Sequence, residues 1–146
     1  MVNILLVEDD KNIANTISYY LQQEGFLIGT ARTVKEGIEK IKENPYDVML
    51  LDINLPDDTG YELYEKMKKI QEIPTIFLTA LDEEKDIVKG FDLGAEDYIT
   101  KPFHAGELLS RIKNVLRHSK IKEKEEAIEI NNVEMNYTIR KSIKRW

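Results

Sequence analysis

The sequence predicts an α/β fold in which a five-stranded parallel sheet is covered by helices on both faces. Three observations carry that prediction. Short apolar runs of four to six residues alternate with longer stretches whose apolar residues recur at helical spacing. The third of these runs, Val48-Met49-Leu50-Leu51, is apolar at every position, as a central parallel strand buried on both faces requires. Glycine, proline or a short polar cap separates each stretch from the next.

Val2 to Val7 reads as the first strand, apolar apart from Asn3. A helix follows from Asp10 to Glu24, with Ile13, Ile17, Tyr20 and Leu21 on one face and Gly25 as its stop. Phe26 to Ala31 is a second strand. Thr33-Val34-Lys35-Glu36 forms a capping box at the start of a helix whose apolar face is Val34, Ile38 and Ile41, and Asn44-Pro45 ends it. After the third strand, a helix runs from about Thr59 to Ile70, and Pro74 introduces the strand Thr75 to Leu78. Asp82 caps a further helix that Gly94 closes. Asp97 to Thr100 is the last short strand, and Glu107 to Arg117 the last helix. Strict alternation with right-handed crossovers leaves few topologies, and the doubly wound, flavodoxin-like strand order 2-1-3-4-5 is expected.

Composition narrows the chemistry. The chain has 146 residues, 42 % of them hydrophobic, enough for one domain plus a fragment. There is no cysteine, which excludes disulfides, thiolate metal sites and thiol nucleophiles. The two histidines, His104 and His118, lie outside any metal-ligand spacing. No apolar run approaches the ~18 residues of a membrane helix, and a cytoplasmic, membrane-free address is expected by elimination. The net charge of −6 is split: residues 1–118 carry 14 Lys and Arg against 22 Asp and Glu, and residues 119–146 carry 7 against 5. The main body thus repels nucleic acid on average, and any DNA contact has to come from beyond residue 118.

In an open α/β sheet, function collects at the carboxyl ends of the strands. The polar residues obey that rule: Glu8, Asp9 and Asp10 follow the first strand, Asp52 ends the third, Thr79 the fourth and Lys101 the fifth. Asp10 reads as a helix cap. Asp9 and Asp52 lie on neighbouring strands and should converge. Carboxylates crowded together drive one another towards protonation unless a cation compensates, and oxygen ligands without His or Cys suit Mg²⁺ (or Mn²⁺). A carboxylate placed like Asp52 can attack phosphorus and form an aspartyl phosphate. The Thr79 hydroxyl can donate to a phosphoryl oxygen and Lys101 can neutralise its charge, while the small Ala80 leaves phosphorus open to approach.

The set Glu8-Asp9, Asp52, Thr79-Ala80, Tyr98 and Lys101-Pro102 resembles the two-component response-regulator receiver family over residues 1–118. Asp52-Ile53-Asn54-Leu55-Pro56-Asp57-Asp58-Thr59-Gly60 is similar to its phosphoacceptor loop, and Gly94 to Phe103 to its fifth-strand segment. The resemblance implies that Asp52 accepts a phosphoryl group from a sensor histidine kinase. It implies Mg²⁺ bound by Asp9, Asp52 and the Asn54 backbone carbonyl, with Glu8 acting through a metal-bound water. Lys101 would pair with Asp52 or the phosphate, and the Lys101-Pro102 peptide would be cis. Thr79 and Tyr98 would form the switch, the Tyr98 ring rotating into space that the Thr79 hydroxyl vacates. Glu8 stands where many relatives have Asp, and Thr59 where Asp is common; Thr59 still suits a helix cap.

Glu96-Asp97-Tyr98, the turn at Lys101-Pro102-Phe103 and the last helix look most like the OmpR/PhoB subfamily of transcription factors. Residues 119–126 read as a charged linker. Residues 127–146 resemble the incomplete start of that subfamily's winged-helix effector, without the recognition helix that would read DNA. A phosphorylation-dependent homodimer follows from the same resemblance, with Lys89, Glu96, Asp97, Glu107, Arg111 and Arg117 pairing across a two-fold axis. His118 stands where relatives often have a second Arg. Control of transcription by the full-length protein is the expected function, and a stand-alone receiver that signals by docking is the alternative. A dehalogenase-type phosphatase, which needs an acid two residues after its nucleophile, is disfavoured by Asn54. The chain is read as a switch protein rather than an enzyme, catalysing only its own phosphorylation and slow dephosphorylation.

Overall fold

The computed structural model describes residues 1–80 and 94–119. The order of elements is β1 (Asn3–Val7), α1 (Lys11–Gln23), β2 (Leu27–Ala31), α2 (Val34–Glu43), β3 (Val48–Asp52), α3 (Gly60–Met67), β4 (Thr75–Ala80) and β5 (Asp97–Lys101). Residues 105–115 after β5 are helical. The chain divides into two compact units, Met1–Val115 and Leu116–Trp146. The described residues of the second, 116–119, are helical. The helix expected between Asp82 and Gly94 lies outside the described residues, as do residues 120–146, which take in most of the expected linker and the whole effector-like segment.

The described residues build one five-stranded sheet in the order β2-β1-β3-β4-β5, the expected one, and every pairing is parallel. The chain steps from β1 outward to β2 and then back across β1 to β3. Right-handed crossovers in opposite directions must lie on opposite faces, so α1 and α2 cover different sides. The burial pattern agrees. Val34 and Ile41 of α2 and Leu63, Tyr64 and Met67 of α3 pack with Leu5, Val7, Met49, Leu51 and Phe77 in one apolar cluster. Ile4, Leu6, Leu50, Ile76, Leu78 and Ile99 alternate onto the other face and are equally buried. All five residues of β3 are buried, which accounts for its uninterrupted apolar run.

Helix ends follow local chemistry. Asp10 caps α1, its carboxylate accepting the Asn12 and Ile13 N–H groups. At the other end, Phe26 N–H donates to the Leu21 carbonyl and Gly25 N–H to that of Gln22. This closure requires a left-handed residue, and Gly25 supplies it with φ +95°. Thr33 caps α2 by accepting the Glu36 N–H at 3.0 Å, while the Glu36 carboxylate reaches one residue further back than expected, to the Arg32 N–H at 3.0 Å. Helix α3 stops at Met67, three residues before its expected end. Its last turn tightens into three-residue bonds, Lys69 N–H to Lys66 and Ile70 N–H to Met67.

The residue just past this tightened turn stitches two elements together. Gln71 donates from Nε2 to the Ile41 and Asn44 carbonyls, both at 3.0 Å, and accepts the Tyr46 N–H at 3.0 Å. It thereby satisfies carbonyls at the end of α2 that the helix leaves without partners. Gln71→Ala removes three bonds and strands their backbone partners, so it should lower stability by about 1–3 kcal/mol. Urea unfolding followed by circular dichroism should show a lower midpoint at an unchanged slope.

Candidate functional site

Register sets the site. Val7 pairs with Leu51, so Glu8 and Asp52 emerge side by side where β1 and β3 end. Ala80 pairs with Lys101 at the end of β4 and β5. Alternation along the strands sends Glu8, Asp52, Ala80 and Lys101 to one face of the sheet. Thr79 lies on the other, in line with Phe77 and Tyr98.

One carboxylate oxygen from each of Glu8, Asp9 and Asp52 lies within 4.8 Å of the others. Glu8 is 1 % and Asp52 7 % exposed, so water screens little of their repulsion. The Lys101 ammonium enters the same space. It lies 2.7 Å from Glu8 Oε1 and 3.5 Å from Asp52 Oδ2, so the tighter pair is with Glu8 rather than with Asp52. The second Glu8 oxygen accepts the Asp10 N–H at 3.1 Å, which anchors the side chain from its own loop.

Titration follows from this crowding. Burial first, and then the Glu8 charge, push the Asp52 carboxyl up to about 7, against the opposing pull of Lys101. Burial alone would lower the Lys101 ammonium, yet its bond to Glu8 and the charges of Asp52 and Glu8 outweigh that and leave it raised. Three acids around one lysine leave an excess of negative charge, and every donor atom is a carboxylate or carbonyl oxygen. That donor set fits a hard divalent cation.

The loop after Asp52 folds back on itself. Asn54 and Thr59 form an antiparallel bridge, Gly60 N–H donates to the Ile53 carbonyl at 2.7 Å, and Asn54 N–H points to Asp52 Oδ1 at 3.4 Å. Gly60 is pressed against the Asp52 carbonyl, so closely that a Cβ would overlap it. Glycine is required there by proximity. Thr59 caps α3 by accepting the Glu62 N–H, as its sequence position implied.

A family model for the response regulator receiver domain matches residues 4–113. The chain belongs to that family. Among curated relatives, it is 39 % identical over 133 residues to the response regulator ArlR of Staphylococcus epidermidis, covering 91 % of this chain and 59 % of ArlR. Identity is 38 % over 135 residues to the transcriptional regulatory protein CreB of Escherichia coli, again 91 % of this chain and 59 % of the relative. The cell cycle response regulator CtrA of Brucella abortus is 41 % identical over 121 residues, 82 % of this chain and 52 % of CtrA. The chain thus spans little more than half the length of these relatives. Among solved structures, a CheY-like receiver domain from Methanospirillum hungatei superposes with a TM-score of 0.80 at 33 % identity, over 84 % of this chain and 98 % of that one. The beryllofluoride-activated DrrB receiver domain gives 0.73 at 40 % identity, over 80 % and 98 %.

The remaining residues singled out from the sequence take these places in the receiver domain. Thr79 is 1 % exposed, and among the described residues its hydroxyl donates over a long 3.4 Å to the Ala80 carbonyl. Tyr98 is buried, its ring stacked on Phe77 at 5.5 Å and 26°. The Lys101-Pro102 peptide is cis, as the resemblance implied. Asp97 and Arg111, expected to face a second copy, hold each other within this chain through two bonds of 2.8 and 2.9 Å, and Glu107 approaches Arg111 at 3.4 Å. Glu96 accepts the Thr75 N–H at 3.0 Å. Arg117 is exposed, and Lys89 lies outside the described residues. Contacts around the site that escaped the sequence reading include the Glu8–Lys101 pair, the Asp57 carboxylate bound to the start of α2, and the Arg32 guanidinium on the Asp9 carbonyl.

The raised Asp52 carboxyl makes stability fall with pH. The folded protein holds a proton on Asp52 up to about pH 7, whereas the unfolded chain releases it near 3.8. Stability is thus lost as pH rises between those values. In metal-free buffer Asp52→Asn should be more stable than wild type at pH 8 by on the order of 2 kcal/mol. That is less than the full shift implies, since Lys101 loses one of two partners. The advantage should vanish near pH 4 in urea titrations.

Proposed function

We propose that this chain is the phosphoacceptor part of a two-component response regulator, and that Asp52 receives the phosphoryl group from a histidine of a sensor kinase. The observation that carries the reading is the convergence of Glu8, Asp9 and Asp52 within 4.8 Å, with Lys101 bound among them at the strand ends. In the transfer, an Asp52 carboxylate oxygen forms a bond to phosphorus as the phosphorus–nitrogen bond to the donor imidazole breaks, and the imidazole keeps the electron pair. Lys101 offsets charge on the phosphoryl oxygens, and the Thr79 hydroxyl donates to one of them. Asp9, Asp52 and the Asn54 backbone carbonyl would hold Mg²⁺ or Mn²⁺, with Glu8 contributing through water. A bound cation supplies charge neutralisation for the incoming phosphoryl group.

The downstream reading is control of transcription by a longer protein of the OmpR/PhoB type, acting in the cytoplasm. Support comes from the Glu96-Asp97-Tyr98 and Lys101-Pro102-Phe103 segments and from similarity to a relative named as a transcriptional regulator. Activation would recruit Thr79 to the phosphate and bias the Phe77–Tyr98 stack, which joins β4 to β5 on the same face. A homodimer would follow, with Lys89, Glu96, Asp97, Glu107, Arg111 and Arg117 at its interface. The Asp97–Arg111 pair within the chain would then rearrange or share its charges with the partner.

Incubation with acetyl phosphate and Mg²⁺ should add one phosphoryl group to the intact mass. Neither Asp52→Ala nor wild type in EDTA should gain it. Labelling of the alanine variant at the wild-type rate would exclude Asp52 as the acceptor.

Beryllofluoride should shift the sedimentation coefficient from monomer towards dimer at micromolar concentration. Thr79→Ala should still take up the mimic and stay largely monomeric. A wild-type chain that remains monomeric when saturated would remove the dimer while leaving the Asp52 chemistry intact.

A further inference from the structure

The first turn of α2 leaves backbone N–H groups that its own residues do not all satisfy. The Thr33 hydroxyl takes the N–H of Glu36. Those of Val34 and Lys35 go instead to a residue more than twenty positions away. Asp57 accepts them on separate oxygens, Val34 N–H on Oδ1 at 2.8 Å and Lys35 N–H on Oδ2 at 3.1 Å. Two oxygens on two adjacent donors fix both the position and the rotation of the carboxylate, and the positive end of the helix favours its charge. The Val34 bond foremost, with help from Lys35, holds the Asp57 carboxyl below its ordinary range despite some desolvation.

The place of Asp57 gives this cap a second meaning. It sits in the acceptor loop between Asp52 and α3, three residues beyond Asn54. Of the loop's other polar bonds, Asn54 N–H to Asp52, Thr59 N–H to Asp58 and Gly60 N–H to Ile53 are local to it, while the Ile53 N–H continues the ladder to the Leu78 carbonyl of β4. Among the described residues, Asp57 is the polar side chain that ties the loop to a different element. On the opposite side of the same junction, the Arg32 guanidinium donates from Nη2 to the Asp9 backbone carbonyl at 3.4 Å. The four residues Arg32 to Lys35 therefore grip both loops that converge on the carboxylate cluster, one at Asp9 and the other at Asp57.

We infer that the β2–α2 junction is a bracket for the divalent-cation site, in which Asp57, and more weakly Arg32, are positioning residues that set the Asn54 carbonyl and the Asp9 carboxylate at the spacing a cation needs. The inference rests on the cation site proposed above and adds to it residues that do not touch the ion. An acceptor loop released from α2 keeps its local bonds but loses its registry with the β1 loop. The cost falls on cation affinity, because a small hard ion tolerates little misplacement of its ligands.

The experiment is calorimetric titration of the full chain with MgCl₂, paired with thermal unfolding in EDTA. Asp57→Ala should raise the Mg²⁺ dissociation constant about 10-fold, the scale on which groups that orient ligands act. Asp57→Asn keeps one acceptor oxygen and should fall in between; it also serves if the alanine variant does not fold. Arg32→Ala should weaken binding by a smaller factor. Thr33→Ala is the control: it removes a cap from the same helix without touching either loop, and should lower the unfolding temperature in EDTA with the dissociation constant unchanged. If Thr33→Ala weakens Mg²⁺ as much as Asp57→Ala does, the effect is general helix stability and the bracket is overturned. The bracket also falls if both Asp57 variants bind Mg²⁺ like wild type while Asp9→Ala does not bind, and the proposed function then stands. A wild-type chain that binds no Mg²⁺ overturns the cation site and the bracket together.

Discussion

Three carboxylates held within 4.8 Å of one another, Glu8 and Asp52 among them buried, repel strongly, and much of this structure is organised around tolerating that repulsion. Asp52 answers the crowding by holding its proton up to about pH 7, and the acids beside it need positive charge delivered to the spot. Lys101 arrives from the far end of the sequence, on a strand two places from β3, and it can do so only because β4 sits between them with the small Ala80 in register. The sheet order is thus a requirement of the site as well as of the core. The charge balance remains short of positive groups even so, which suits the pocket to a hard cation.

The way Lys101 divides its attention has a mechanistic side. Its shorter bond is to Glu8, and Asp52 receives the weaker share. The Asp52 carboxyl is therefore not fully masked by the lysine. A glutamate reaches one methylene further than an aspartate, and that extra length lets Glu8 meet the ammonium while its other oxygen stays anchored on the Asp10 N–H.

Much of this architecture was readable in the sequence because it obeys short-range rules. Strand β3 announced itself by four apolar residues in a row, and Asp10, Thr33 and Thr59 by side-chain oxygens placed just ahead of a helical pattern. Gly25 was marked by the left-handed turn that only a glycine enters readily. The convergence of Asp9 and Asp52 was legible once the strand order was. Features set by distance or reach could not be read. The bond from Asp57 to α2 spans more than twenty residues and depends on how a loop curls. The preference of Lys101 for Glu8 turns on less than an ångström. The burial of Tyr98 depends on Phe77, which looks in sequence like any other strand residue and in the fold touches Tyr61, Tyr64 and Tyr98 at once. The early end of α3 reflects a turn that tightens over Lys66 to Ile70, where composition alone still favours helix.

The contact between Gly60 and the Asp52 carbonyl has a mechanical consequence. Helix α3 starts at Gly60, and its first residue rests on the backbone of the acceptor with no side chain between them. Eight residues make a rod about 12 Å long, so a tilt of about 5° about that fulcrum carries the far end roughly 1 Å. Tyr61 and Tyr64 lie along the rod and press on Phe77, with their ring centres 5.1 and 5.6 Å from it. The same tilt moves Tyr64, four residues and about 6 Å from the fulcrum, by about 0.5 Å against Phe77 of β4, whose ring lies beside that of Tyr98 on β5. The backbone of Asp52 is thus the fulcrum on which α3 bears its two aromatic rings towards β4.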